Sequence, residues 1–135
     1  MGINQQVSEY LARHPSALDE KIGLVLETVS SKCVRGWAPV ASNTQAGGLW
    51  HGGASAVLVE TLASLGALAY SLPLRVPVGT ELSVSHLRAL NSGRVQGLAQ
   101  PLHLGRSTAC YQVILSDGER PIAVGRLSCR LIPAN

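Results

Sequence analysis

With 135 residues, 46 % of them apolar and 14 % charged, the chain has enough material for one packed domain, residues 1–135, and too little for two. Its formal charge of +3 is weak, Lys21 and Lys32 are the only lysines, and no basic cluster is interleaved with aromatics, which argues against nucleic acid as a partner. Phe is absent, so the core has to come from Leu, Val, Ala and Ile, and Cys33, Cys110 and Cys129, odd in number and in no CxxC pair, point to free thiols in a reducing cytoplasm.

The first twenty residues lack a basic patch followed by an apolar run, so no signal peptide is expected. Val7, Tyr10 and Leu11 have helical spacing ahead of Pro15, which predicts a helix over residues 5–13 within an N-terminal helical extension, residues 1–20. Residues 22–30 and 32–40 are rich in β-branched side chains and predict two strands. A polar, glycine-rich loop over 41–48 then leads into the segment that organises the chain, residues 45–70, QAGGLWHGGASAVLVETLASLGALAY.

From His51-Gly52-Gly53 onward Ala, Leu and Val occupy nearly every position without a proline, which predicts a long helix. Its apolar residues run almost all the way round, so other structure or a partner chain should wrap it. Glu60 in its middle is the only carboxylate between Glu27 and Glu81, with Ser64 one turn further on the same face. A carboxylate so placed needs a partner or a task. Residues 50–74 contain only His51 and Glu60 as groups that ionise near neutral pH, but the Gly, Ala and Ser content, the central Glu and the lack of basic flanks argue against a membrane span.

Pro73 and Pro77 bracket the next connection. From Val78 the pattern has period two, with Thr80, Leu82, Val84 and His86 on one face. Three further strand-like runs follow, 94–104, 108–115 and 121–132, separated by turns at Gly105-Arg106-Ser107 and Ser116-Asp117-Gly118-Glu119; Gly97 and Pro101 mark a bend or an edge in the first of them. Together these elements predict an α+β domain, one long helix laid across an antiparallel sheet of five to six strands.

The string Gln45-x5-His51-Gly52-Gly53-x6-Glu60-x3-Ser64 resembles the hotdog-fold acyl-CoA thioesterases, in particular the branch with the Arthrobacter-type 4-hydroxybenzoyl-CoA thioesterase and the 1,4-dihydroxy-2-naphthoyl-CoA hydrolases of menaquinone synthesis. Ser85-His86-Leu87-Arg88, Ser92-Gly93-Arg94-Val95 and Pro101-Leu102-His103-Leu104-Gly105-Arg106 extend the resemblance over residues 22–132. It implies that Glu60 is the catalytic carboxylate, as nucleophile or general base, that the Gly52 backbone N–H polarises the thioester carbonyl, that Gln45 and His51 shape the site, and that Ser64 orients the attacking water or the carboxylate. For the CoA moiety it implies contacts at Gly79, along His86, Leu87, Arg88 and Ala89, and along His103, Leu104, Gly105, Arg106, Ser107 and Thr108. It further implies homodimers that pair into tetramers, with an aromatic acyl-CoA as substrate and no cofactor.

The residues support these roles on their own chemistry. Thioester hydrolysis builds charge on the carbonyl oxygen and needs a fixed donor there; the first turn of a helix has unpaired N–H groups, and glycine lets a substrate approach them. Planar arginine donors at Arg88 and Arg106 suit phosphates. Eight residues of helix separate Gly52 from Glu60, about 12 Å along the axis, too far for both to act on one carbonyl. Paired across a two-fold axis, however, two chains would form two composite sites. No His or Cys pair has metal-ligand spacing, and GxSxG, GxGxxG and a P-loop are absent. The competing readings are a non-catalytic acyl-CoA-binding protein and a hydratase on the same scaffold, whose Asp-x4-His-Asn type motif is missing here.

Overall fold

The computed structural model describes residues 2–135. Two short helices open the chain. The Asn4 side chain accepts from Val7 N–H at 3.1 Å to cap α1 (Gln5–Arg13), which buries Val7 completely. Ser16 accepts from Asp19 N–H to cap α2 (Ala17–Ile22), and Gly23, at φ 74°, ends it in the left-handed conformation that favours glycine. The strand predicted from residue 22 therefore begins only at Val25, because Ser16 and the acidic pair Asp19 and Glu20 nucleate a helical turn first.

Strands β1 (Val25–Val29) and β2 (Val34–Pro39) precede the long helix α3 (Gly52–Ser71), and β3 (Arg75–His86), β4 (Arg94–Leu104), β5 (Thr108–Ser116) and β6 (Pro121–Pro133) follow it. All six strands join one antiparallel sheet in the order β1-β2-β4-β5-β6-β3. Val95, Ala99, Tyr111, Val113, Leu115, Leu127 and Leu131 alternate toward the helix and form the core with Leu58, Val59 and Leu62 of α3. This is the hotdog arrangement, a helix wrapped by a curved sheet. Gly52–Ser71 is long and apolar enough to cross a membrane, but the sheet covers most of its apolar side chains.

Glycines set how closely the helix sits. Gly36 and Gly97 face each other across β2 and β4, and a Cβ at either would press on Leu62 of α3, while a Cβ on Gly125 would lie 2.7 Å from both Val59 methyls. Gly97 thus serves packing rather than a bend or an edge. On the helix itself, a Cβ at Gly66 would lie 2.5 Å from Cε2 of Tyr111, whose buried ring is tied through its hydroxyl to the Ser31 carbonyl. Gly66→Ala should therefore destabilise the fold by about 1–3 kcal/mol through overpacking, read as a lower denaturation midpoint; an unchanged midpoint would show that the ring can move aside.

Two corrections concern β3. Pro77 lies inside the strand, opposite Leu131, rather than in a connection, because an edge strand tolerates a residue without an N–H. A bulge between Gly79 and Glu81 shifts Thr80 off the face shared by Leu82 and Val84, and its hydroxyl donates to the Ser128 carbonyl at 3.0 Å. The two sheet edges also differ. Residues 2–4 cover the Val29 end of β1, with Asn4 N–H donating to the Val29 carbonyl and Val29 N–H to that of Gly2. Twelve-residue β3 pairs with β6 alone and presents its other side open.

Candidate active site

The N-terminus of α3 is built by the loop before it. Asn43 anchors the loop by donating from Nδ2 to the carbonyls of Ile22 and Pro39, both at 2.8 Å, and its own carbonyl accepts from His51 N–H. Trp50 is buried, and its indole N–H donates to Ser55 Oγ at 2.7 Å, clamping the loop to the first turn of the helix. Gly47 and Gly48, at φ 94° and 85°, make the tight turn that carries Gln45 back over the helix start.

Each amide of that first turn can be followed. Ala54 and Ser55 N–H donate to the His51 carbonyl at 2.9 and 3.3 Å, and Gly53 N–H donates to His51 Nδ1 at 2.7 Å. The Gly52 N–H is left with no acceptor among the described residues. His51 is thus the helix cap, and since its Nδ1 accepts, the ring proton belongs on Nε2. Gly52 opens into a cleft of about 550 Å³ lined by Gln45, His51, His86, Leu87, Arg88 and Ala89. His86, at the end of β3, stands over it, and a Cβ on Gly52 would lie 2.9 Å from the imidazole Cε1.

Glu60 lies elsewhere. Two turns along α3 it lies in a trough bounded by α1, α2 and the β3 edge of the sheet, together with Ser64 and Thr61. Its carboxylate joins none of the ion pairs among the described residues. The expected apolar enclosure of this acid is absent from its own chain, where Glu60 is exposed. Gly79, grouped above with the CoA contacts, abuts this carboxylate: a Cβ there would sit 3.1 Å from Glu60 Oε1. Beneath them Cys129, opposite Gly79 on β6, is 2 % exposed, and burial, followed by the charges of Cys110 and Glu60, pushes its thiol up to about 11.

The remaining predicted contacts occupy a third place. His103, Leu104, Gly105, Arg106, Ser107 and Thr108 form the β4–β5 turn, closed by Gly105 N–H donating to the Thr108 carbonyl at 2.8 Å. Tyr70 Oη donates to the Gly105 carbonyl at 3.0 Å, so this turn sits at the C-terminal end of α3. About 27 Å of helix separates it from Gly52. One protomer therefore brings Gln45, His51, Gly52 and residues 86–89 together, and Glu60, Ser64 and Gly79 together. It keeps the first group apart from residues 103–108, whereas Thr80, next to Gly79, lines one hollow with His103 and Thr108 across β6. Tyr10, Leu11, Asp19 and Thr61, which border Glu60, were not among the expected site residues; Thr61, one residue after Glu60, was the one detectable signal among them.

The model of the thioesterase superfamily matches residues 47–126, a stretch that contains both Gly52 and Glu60. The proofreading thioesterase EntH of Cronobacter sakazakii is 39 % identical over 115 residues, 84 % of this chain and 84 % of that protein. Among solved structures, a mutant of thioesterase PA1618 from Pseudomonas aeruginosa superposes with a TM-score of 0.84 at 32 % identity, covering 96 % of this chain and 94 % of the other. Thioesterase HI1161 from Haemophilus influenzae does so with a TM-score of 0.85 at 25 % identity, covering 94 % and 90 %. A wrapped helix of this length, a free amide at its start and a carboxylate on its open side thus sit in a sequence that belongs to the thioesterase superfamily: the chain is a hotdog thioester hydrolase.

Proposed function

We propose that this chain hydrolyses an aromatic acyl-CoA to the free acid and CoA at two composite sites of a homodimer. The observation that carries the reading is the unengaged Gly52 N–H in a cleft that lacks a carboxylate, on the same helix as a Glu60 that faces another way. Each protomer holds half of what the reaction needs. An antiparallel pair of α3 helices about a two-fold axis supplies the other half, and the open edge of β3 gives the two sheets a place to join.

In the composite site, Gly52 N–H of one protomer stabilises the oxyanion as the thioester carbonyl is attacked, assisted by the positive end of the helix dipole. Glu60 of the other protomer either takes a proton from the attacking water or attacks the carbonyl itself, forming an anhydride that water then opens. In both routes the C–S bond breaks when the oxyanion collapses, and CoA leaves as the thiolate. A single turnover in ¹⁸O-labelled water places label on Glu60 only by the second route. Ser64, one turn from Glu60 in the same trough, orients the water or the carboxylate, and Gln45 and His51 shape the oxygen's seat.

The same pairing carries the 103–108 turn of one chain toward the 86–89 segment of the other, where Arg106 and Arg88 can share the phosphates of CoA. We also carry forward a dimer of dimers, supported by a half-buried row of Leu98, Ile114 and Val124 in register on the outer face of the sheet; light scattering gives the mass.

Thiol release from a panel of aryl- and alkyl-CoA esters tests the reading, with turnover expected for at least one aryl-CoA and none above buffer overturning it. Arg88→Ala and Arg106→Ala should each raise KM for CoA esters about tenfold, the loss of one charge-assisted hydrogen bond, and spare pantetheine thioesters. Equal effects on both ester types would remove the phosphate contact from the account.

A further inference from the structure

On the C-terminal side of Glu60 the trough ends in a pocket of about 220 Å³. Leu65 and Leu68 of α3 and Val76 and Pro77 of β3 form two of its sides, and Tyr10 and Leu11 of α1 form the third. The α1 wall comes from outside the stretch of residues 47–126 that the family model matches. It is also firmly held. Val7, one turn before Leu11, is completely buried, residues 2–4 are hydrogen-bonded to Val29 at the end of β1, and Asp19 of α2 accepts from the Thr61 hydroxyl at 2.8 Å beside Glu60.

From this placement we infer that α1, through Leu11 and Tyr10, is the specificity element that closes the acyl end of the site. The inference rests on the acyl-CoA reading above. If the thioester carbon lies at Glu60, the acyl group must leave it along the trough. In the N-terminal direction the trough widens into a hollow of about 360 Å³ beside Leu18, Val57 and Leu82, whereas the C-terminal direction is the narrower one and ends against Leu11 and Tyr10. Size narrows the class: an apolar cavity of about 150 Å³ accepts benzene, so this pocket of about 220 Å³ takes a single substituted ring with ease, a fused bicyclic ring fills it up to Leu11, and a long alkyl chain overruns it.

The test is kcat/KM for benzoyl-, naphthoyl- and decanoyl-CoA in the full-length wild type, Leu11→Ala and Leu11→Trp, with circular dichroism on each protein. Removing the Leu11 side chain should raise the naphthoyl-to-benzoyl and decanoyl-to-benzoyl ratios at least tenfold, and Trp should lower both, differences of the size that pocket volume produces. Either variant decides the matter if the other fails to fold. A wild type active on benzoyl-CoA whose ratios stay within twofold in the folded variant overturns the inference alone. A wild type inert toward all three esters overturns the acyl-CoA reading and this inference with it.

Discussion

Glu60→Gln is expected to lower kcat by about 10²–10⁴, the range that one acid–base group supplies, with KM and thermal midpoint close to wild type. The structure explains why the loss should be confined to chemistry. Glu60 is exposed, joins none of the ion pairs among the described residues, and lies against β3 where Gly79 leaves room for its carboxylate. Glutamine keeps the size and loses the base, so steady-state thiol release beside a melting curve separates function from fold. Wild-type kcat in the glutamine variant would remove Glu60 from the reaction. A large fall in melting temperature would show instead that the carboxylate holds the assembly together.

Much of the architecture was readable because its signals are local. The long, mostly apolar and proline-free run after His51-Gly52-Gly53 reads as a helix, and it begins at Gly52 as expected. Strand β4 matches residues 94–104 because Asn91-Ser92-Gly93 and Gly105 punctuate both of its ends. Local reading failed where tertiary context decides. Pro77 reads as a breaker until β3 is known to lie at an edge, and Thr80 keeps the alternation until the bulge displaces it. Helix α2 is six residues long, too short to show a period, and only its Ser16 cap and acidic first turn announce it.

The site was legible residue by residue but not as an arrangement. Spacing placed Gly52 and Glu60 on one helix, and helical rise alone separated them. Nothing in the sequence told that Gly79 would lie against Glu60, since that contact joins β3 to α3 through a register set by the bulge. Likewise, residues 86–89 and 103–108 read as one set of contacts, whereas the topology puts them at opposite ends of α3. Like the distance between Gly52 and Glu60, that separation calls for a second protomer if both segments meet one substrate.

Gly52→Val is expected to cost about 10²–10³ in kcat, as much as losing an oxyanion donor. A branched side chain at Gly52 meets His86, whose Cε1 would lie 2.9 Å from the Cβ, and fills the cleft where the thioester oxygen must approach the free amide. Alone, this variant and Glu60→Gln are both nearly inactive, but they fail in opposite halves of the composite site.

Turnover after the two variants are co-refolded in equal amounts, with hybrid dimers counted by native mass spectrometry, tests the shared site directly. A Glu60→Gln chain still offers its Gly52 amide, and a Gly52→Val chain still offers its Glu60. Each hybrid then contains one intact site, and the mixture should recover roughly a quarter of wild-type activity. Activity that stays at the sum of the two parents while hybrids make up half of the dimers would mean that each chain works with its own Gly52 and Glu60, and the two-protomer account would be wrong.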